Sequence, residues 1–291
     1  MIAVMGASGN VGSKVTDRLL REGQQVRVFG RSAERLEPLG RRGAEVAVGD
    51  AIDLSGLRAL FQDAVSALVV LPDNVADPNY VANRSTMSRS IARALDDQRV
   101  GHVVLASSVG AHRGQEVGQV AGLHELEELL FGLDGADVLA LRAGWHMENL
   151  LAAVPMVREQ KINGSAIRGD LRLPMVATVD IAERAAAHLL RRGFSGHTVE
   201  TVLGPEDCSL EQATRALGDA LGISELPYVQ FPPEGVKAAL HALGMSEQFA
   251  SLLVESQIAI NEGRMLEDVE RTPVITTPTR LEEFLKGALN R

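Results

Sequence analysis

The chain has 291 residues and a formal net charge of −9, a balance that argues against nucleic acid and anionic membranes as partners. Its residues are 45% hydrophobic but only 3% aromatic, so we expect a large aliphatic core of the kind that parallel sheets bury. The sequence contains no uninterrupted run of about 20 apolar residues, which is the length that a membrane-spanning helix needs. Cys208 is the only cysteine. An internal disulfide is therefore excluded, and a reducing, cytoplasmic setting is expected.

The first predicted elements are a strand over residues 2–5 and a helix that extends to residue 20. They are joined by the turn Gly6-Ala7-Ser8-Gly9-Asn10-Val11-Gly12, which is one residue wider than the usual G-x-G-x-x-G. Such a turn is typical of a dinucleotide site, where glycines permit a sharp turn, a close approach to the pyrophosphate and tight helix packing. Lys14 follows Ser13, so a P-loop is excluded. The alternative is a turn that binds no ligand.

A second strand is predicted over residues 26–29, and it ends at Gly30-Arg31-Ser32. NAD sites place an acidic residue here to accept from the ribose 2′-hydroxyl, but none occurs between Gln24 and Ala33. The guanidinium of Arg31 suits a 2′-phosphate instead, which favours NADPH. The alternative is an exposed arginine at the start of a helix.

A third strand over residues 44–48 ends at Gly49-Asp50-Ala51, where Asp50 either accepts from the adenine amino group or caps the turn. Three more strands, predicted over residues 64–71, 101–106 and 138–142, alternate with helices. This alternation predicts an α/β protein with a doubly wound parallel sheet, a Rossmann fold.

The alternation ends after residue 143, and a smaller helix-rich lid over the carboxyl edge of the sheet is predicted. We expect an NAD(P)-binding domain over residues 1–150, with a further strand and helix from about 173–204, and a smaller substrate-binding region over 151–291. Helix starts are predicted at the capping patterns of residues 180–183, 209–212 and 279–282.

The Tyr-x-x-x-Lys pair that would supply a proton shuttle is absent, because Arg84 and Pro232 stand four residues after the two tyrosines. This argues against alcohol–ketone chemistry and against epimerisation of sugar nucleotides. On the helix after the fifth strand, His124 could contact the nicotinamide ribose, protonate a reduced product, or be a half-exposed helix residue. Ser107, at the end of that strand, either reaches the nicotinamide or is a turn serine.

The segment Arg142-Ala-Gly-Trp-His-Met-Glu-Asn149 follows the sixth strand. Its small pair Ala143-Gly144 would allow close approach to a nicotinamide, and Trp145 either stacks on a flat substrate or packs in the lid. His146 and Glu148 are two residues apart, a poor spacing for metal ligands on a helix, and we expect no metal. No G-x-S-x-G elbow supports hydrolysis.

The glycine turn, Arg31, His124 and the 142–149 segment together resemble the NmrA-like branch of atypical short-chain dehydrogenases. Within that branch the chain is similar to bacterial NADPH-dependent quinone oxidoreductases and to triphenylmethane reductases, over nearly its whole length. The resemblance implies that NADPH is held by the turn and Arg31, and that further residues line the cofactor: Leu71, Pro72, Ser107, Ala143, Gly144, Trp145 and His146. Many relatives have lysine where this chain has His124.

The function implied is hydride transfer from NADPH to a quinone or a similar flat, conjugated acceptor, with His124 and Trp145 as the candidate catalytic residues. The branch also contains regulators that bind NADP without turnover and sense its redox state, so a regulator is the alternative. The partner expected is a small-molecule substrate, with no nucleic acid and no membrane, and a homodimer is left open.

Overall fold

The structure is a computed structural model that describes residues 1–267 and 269–289. The strands are β1 (Ile2–Met5), β2 (Val26–Gly30), β3 (Glu45–Val48), β4 (Ser66–Val69), β5 (His102–Ser108), β6 (Asp137–Ala143), β7 (Trp145–His146), β8 (Asn163–Ser165), β9 (Arg172–Val176), β10 (His197–Val202), β11 (Asp207–Ser209) and β12 (Tyr228–Gln230).

The α-helices are α1 (Asn10–Arg21), α2 (Ala33–Gly40), α3 (Leu54–Phe61), α4 (Tyr80–Asp97), α5 (Ala121–Phe131), α6 (Asn149–Ala152), α7 (Val154–Gln160), α8 (Thr178–Arg191), α9 (Leu210–Leu221), α10 (Pro233–Ala242), α11 (Glu247–Asn261) and α12 (Leu281–Leu289). Short 3₁₀ helices occur at Gly118–Val120 and Pro273–Ile275.

Seven strands form one parallel sheet in the order β10-β6-β5-β4-β1-β2-β3. The chain starts in the middle at β1, runs outward to β3, and then crosses back to β4 on the other side of β1. The predicted doubly wound Rossmann fold is confirmed. In such sheets ligands bind at the carboxyl ends of the strands where the order reverses, and here that point lies between β1 and β4.

Helices cover both faces of this sheet, because its strands are apolar on both sides. Along β1, Ile2 and Val4 join one core cluster with residues of α1 and α8, whereas Ala3 and Met5 join a second cluster with residues of α3, α4 and α5. All four residues of β1 are buried. The central strand is thus fixed from both faces, and so is the turn that follows it.

The second half of the chain also contributes to the sheet. Strand β10 pairs in parallel with β6, and helix α8 packs against α1. The remaining segments build the lid from two small sheets, β11-β9-β7 and β12-β8, and from helices that enclose a third core cluster. In the described ranges, no helix has both the length and the apolar composition to cross a membrane.

One of the three predicted caps is confirmed. Ser209 and Gln212 form both hydrogen bonds of a capping box at the start of α9. Helix α8 begins at Thr178, before Asp180, so the prediction of a cap at Asp180 was wrong. Asp180 instead accepts two hydrogen bonds from Thr279, from its hydroxyl at 2.8 Å and its backbone N–H at 3.1 Å. Asp180 and Thr279, which were both predicted as helix caps, are therefore hydrogen bonded to each other, and these bonds attach the C-terminal segment to α8.

Candidate cofactor and substrate site

A cavity of about 1100 Å³ lies between the carboxyl ends of the central strands and the lid. Many of the predicted site residues line it: Gly6, Gly9, Asn10, Val11, Gly12, Leu71, Ser107, Ala143, Gly144, Trp145 and His146. Others do not reach its surface: Ala7, Ser8, Arg31, Asp50, Ala51, Pro72 and His124. The tertiary structure thus brings together the glycine turn and the ends of β4, β5 and β6.

The glycine turn has a backbone that side chains could not follow. Gly6 has a φ of +62°, a conformation that L residues rarely adopt. A Cβ on Gly12 would lie 2.3 Å from the carbonyl oxygen of Gly6, whose backbone α1 approaches directly. The first and third glycines of the turn therefore serve the tight turn and the close helix packing that the spacing predicted.

The N-terminus of α1 opens onto the cavity. Gly9 is the N-cap and supplies no side-chain acceptor for the first-turn N–H groups, while Asn10 and Val11 line the cavity. Such N–H groups, together with the positive end of the helix dipole, form a site for a phosphate. The residues present therefore fit the pyrophosphate of a dinucleotide.

The residues at the ends of β2 and β3 lie outside the cavity wall. Arg31 is exposed one residue beyond β2, and its Nη2 donates to the carbonyl oxygen of Asp73 at 3.4 Å. Asp50 Oδ1 accepts from the backbone N–H of Ile52 at 3.0 Å, so it caps the turn after β3. Ala51 is buried. Arg31 thus lies at the end of β2, where a 2′-phosphate is expected. One carboxylate oxygen of Asp50 is already occupied by the hydrogen bond that caps the turn.

Ser107 belongs to a buried ionic network. Its hydroxyl donates to Glu127 Oε1 at 2.5 Å, and Arg142 binds the same carboxylate through Nε at 3.1 Å and Nη2 at 2.6 Å. The Glu127 side chain is only 2% exposed. This network holds Ser107 in one orientation at the cavity wall and fixes the ends of β5 and β6 to α5. Sequence reasoning missed Glu127, since one glutamate in an acidic helix carries no local signal.

The segment after β6 passes between the sheet and the lid. A Cβ on Gly144 would lie 2.1 Å from the carbonyl oxygen of Pro174, so this glycine is required by the neighbouring backbone of β9. Trp145 lines the cavity and also packs against the lid core cluster. Trp145 therefore packs in the lid, and its stacking on a flat substrate stays a prediction.

His146 lies deep in the molecule but opens onto the cavity. Burial is the main cause that lowers the pKa of its imidazole, Glu148 partly opposes this, and Lys14 adds to it. Glu148 accepts from the backbone N–H of Thr178 at 3.1 Å, and Lys14 Nζ donates to the Thr178 hydroxyl at 2.9 Å. These bonds connect α1, the 145–148 segment and α8.

The structure places His124 away from the cavity. Its Nδ1 donates to the carbonyl oxygen of Ala111 at 2.9 Å, and a Cβ on Gly114 would lie 2.8 Å from its ring. The side chain packs beneath the loop that follows β5. His124 thus corresponds to the third alternative, a half-exposed helix residue, because the helix turns this position towards the loop.

The hydroxyl groups of the two tyrosines are poor proton donors for a substrate, because both are hydrogen bonded within the protein. The hydroxyl of Tyr80 donates to Asp73 at 2.5 Å and accepts from Arg84 at 2.6 Å, and burial together with Asp73 raises its pKa. Burial also raises the pKa of Tyr228, whose hydroxyl donates to the carbonyl oxygen of Ile167. Arg84 is buried and lines the cavity. Arg84 stands four residues after Tyr80, at the position where a Tyr-x-x-x-Lys pair would have its lysine.

Residues 6–137 match a family model described as NAD(P)H-binding. This part of the chain is therefore similar to NAD(P)H-binding domains. The domain contains the glycine turn, Arg31 and Ser107, which the resemblance to NADPH-dependent proteins singled out. The prediction of an NAD(P)H cofactor is confirmed.

Two curated relatives are similar to nearly the whole chain. Quinone oxidoreductase 2 of Escherichia coli is 24% identical over 270 residues, which are 92% of this chain and 91% of that protein. The NAD(P)H azoreductase of Xenophilus azovorans is 26% identical over an alignment of 298 positions, which covers 99% of this chain and 97% of that protein. The similarity therefore extends past the NAD(P)H-binding domain into the lid.

Three solved structures have the same fold. The E. coli NADPH-dependent quinone oxidoreductase in complex with NADPH matches with a TM-score of 0.83 at 24% identity, and all of both chains is covered. The Citrobacter triphenylmethane reductase complexed with NADP(H) gives 0.79 at 20% identity, covering 99% and 100% of the chains. The negative transcriptional regulator NmrA in complex with NADP gives 0.73 at 16% identity, covering 99% and 95%. The predicted resemblance to the NmrA-like branch is confirmed at the level of the fold.

Proposed function

We propose that this protein is an NADPH-dependent reductase that delivers hydride to a quinone or to a similarly flat, conjugated acceptor. The main support is one continuous cavity that joins the glycine turn to Trp145 and to the lid. The relatives named quinone oxidoreductase and NAD(P)H azoreductase are similar to both halves of the chain. A binding site for the cofactor and a chamber for an acceptor are thus adjacent.

NADPH bound in this cavity supplies the hydride. The N–H groups of the first turn of α1 hold the pyrophosphate, and Arg31 holds the 2′-phosphate. The Ser107 hydroxyl donates a hydrogen bond to Glu127, so its oxygen lone pairs are left to accept hydrogen bonds from groups in the cavity. Trp145 offers a flat apolar surface beside it. The protein acts chiefly by holding two flat groups in a fixed relation.

The proton that the reduced acceptor needs is proposed to come from water. Both tyrosines have raised pKa values and use their hydroxyl protons within the protein, and His124 lies outside the cavity. A quinone tolerates this arrangement, because hydride transfer gives a phenolate that solvent can protonate. The cytoplasmic setting and the homodimer stay predictions.

The proposal is tested by mixing the purified protein with NADPH and a panel of quinones and following absorbance at the reduced-nicotinamide band. We expect NADPH consumption that depends on both the quinone and the protein. The regulator alternative is favoured by the shared fold with the NADP-bound NmrA structure. It predicts binding of both NADP and NADPH without consumption by any acceptor, and that result would end the reductase proposal.

Replacing Arg31 by alanine is expected to raise the Kd for NADPH about ten- to a hundredfold and to leave the Kd for NADH unchanged. The lost charge-assisted hydrogen bonds to the 2′-phosphate contribute about 1.5–3 kcal/mol. Isothermal titration calorimetry measures both constants. Arg41→Ala is the matched control, because Arg41 is an exposed arginine beyond the far end of α2 and pairs with Glu37. Equal losses for both cofactors would contradict the assigned role.

His146, which is half-buried at the cavity wall, is expected to make the protein less stable in acid. Its pKa is lowered from the ordinary value of 6.5, so below about pH 6.5 the unfolded chain binds a proton that the folded chain does not. The free energy of unfolding should therefore fall as the pH decreases from about 7 to about 5.

Urea unfolding of wild type and His146→Gln at several pH values measures this effect, and the variant should show a shallower fall. His241→Gln is the control, since His241 is exposed and its loss should leave the wild-type slope. Parallel pH profiles of wild type and His146→Gln would show that burial of His146 does not set the acid sensitivity.

A further inference from the structure

Helix α10 turns one apolar face towards the cavity. Val236, Ala239 and Leu240 line the cavity along this face, and Leu243, which follows the helix, continues the line. These positions are three and four residues apart and therefore form a single stripe. Exposure rises from 9% at Val236 to 76% at Leu243. The stripe thus leads from the interior of the cavity to the protein surface.

The stripe is about 10 Å long, because its ends are seven positions apart and a helix rises about 1.5 Å per residue. The lid half of the cavity has further apolar walls, to which Met156 on α7 and Leu253 and Ile260 on α11 contribute. A flat ring held beside Ser107 and Trp145 would leave this part of the cavity for another portion of the same molecule.

Several polar side chains in the lid half are already hydrogen bonded within the protein. Gln257 Oε1 accepts from the backbone N–H of Ala166 at 2.8 Å, the Tyr228 hydroxyl donates to the carbonyl oxygen of Ile167 at 2.7 Å, and the Ser256 hydroxyl donates to that of Leu253 at 2.7 Å. A polar occupant would gain little from groups that are already paired and would lose its own hydration. An apolar occupant fits these walls better.

We propose that the lid half of the cavity binds an aliphatic tail, so that the preferred acceptor is a quinone with an alkyl or isoprenoid chain. This rests on the proposed quinone reduction, in which the ring lies at the nicotinamide end and the tail follows α10 towards Leu243. Each methylene group that is buried strengthens binding roughly fourfold. Because the stripe reaches the surface, chains longer than the cavity can extend into solvent.

The test compares 2,3-dimethoxy-5-methyl-1,4-benzoquinone with its 6-decyl derivative, since the two share a ring and differ in the tail. We expect kcat/KM with NADPH to be at least about tenfold higher for the decyl compound. Quenching of Trp145 fluorescence gives both Kd values without turnover, because Trp145 is the single tryptophan and lines the cavity. The Kd ratio should show the same preference.

Leu240→Asp should reduce the ratio of kcat/KM for the decyl compound to that for the tail-less quinone by at least about fivefold, because it places a charge on the stripe. Leu243→Asp, at an exposed position that cannot disturb the core, should reduce it as well. Ala238→Asp is the matched control, because Ala238 is exposed on another face of α10, and it should keep the wild-type ratio.

Equal kcat/KM and Kd values for the two quinones, or equal ratios in all three variants, would overturn the tail site even if the tail-less quinone is reduced. Tight binding of the decyl compound that Leu240→Asp weakens, without turnover of either quinone, would support the tail site and overturn quinone reduction. The two proposals therefore fail by different results.

Discussion

Replacing Gly12 by alanine is expected to raise the Kd for NADPH by roughly a hundredfold or more. The added Cβ would lie 2.3 Å from the Gly6 carbonyl oxygen and 2.7 Å from its carbon, so α1 must move away from the turn. That movement displaces the first-turn N–H groups, and losing about two charge-assisted hydrogen bonds costs about 3–6 kcal/mol. Calorimetric titration with NADPH measures the change.

Gly193→Ala is the matched control for this substitution. A Cβ at Gly193 would meet no atom within 4 Å, and this residue lies outside the sheet and the cavity wall. It should therefore keep the wild-type Kd. Far-ultraviolet circular dichroism and urea unfolding establish that Gly12→Ala still folds. A folded Gly12→Ala protein with a Kd within about threefold of wild type would refute a phosphate site at this turn.

Replacing Glu127 by glutamine is expected to lower the free energy of unfolding by about 3–5 kcal/mol. The substitution removes the negative charge that Arg142 contacts through two nitrogens and that Ser107 contacts through its hydroxyl. The Arg142 guanidinium then faces a neutral amide in place of the Glu127 carboxylate. Urea unfolding followed by circular dichroism measures the loss.

Glu37→Gln is the control for the ionic network, because Glu37 forms a solvent-exposed pair with Arg41. Exposed pairs contribute about 0–1 kcal/mol, so this variant should unfold almost as wild type does. A loss of similar size in both variants would mean that the Glu127 pair has no special role. Ser107 would also lose its fixed orientation in Glu127→Gln, so kcat with a quinone should fall along with stability.

Local rules explain why much of this molecule could be predicted from sequence. The glycine positions report backbone conformations that only glycine adopts, and the φ of Gly6 and the contact at Gly12 follow directly. The alternation of apolar strands and helices predicts a parallel sheet because right-handed crossovers leave few other topologies. The Ser209 capping box needs only residues within one turn.

Two residues make contacts that differ from their predicted roles, and in both cases the partner lies far away in the chain. Asp180 and Thr279 each have a capping pattern, yet they bind each other across 99 positions. His124 was assigned to the site from its helix, but the rotation of that helix against the loop after β5 directs the ring to Ala111. A periodic pattern does not give that rotation.

The sequence by itself determined the Rossmann sheet, the glycine turn at residues 6–12 and the position of Arg31, because these depend on neighbours in the chain. The tertiary structure alone decided which side chains meet in the cavity. It buried Glu127 between Ser107 and Arg142, and it turned one face of α10 inward. These outcomes depend on packing between distant segments, and no local pattern of residues encodes them.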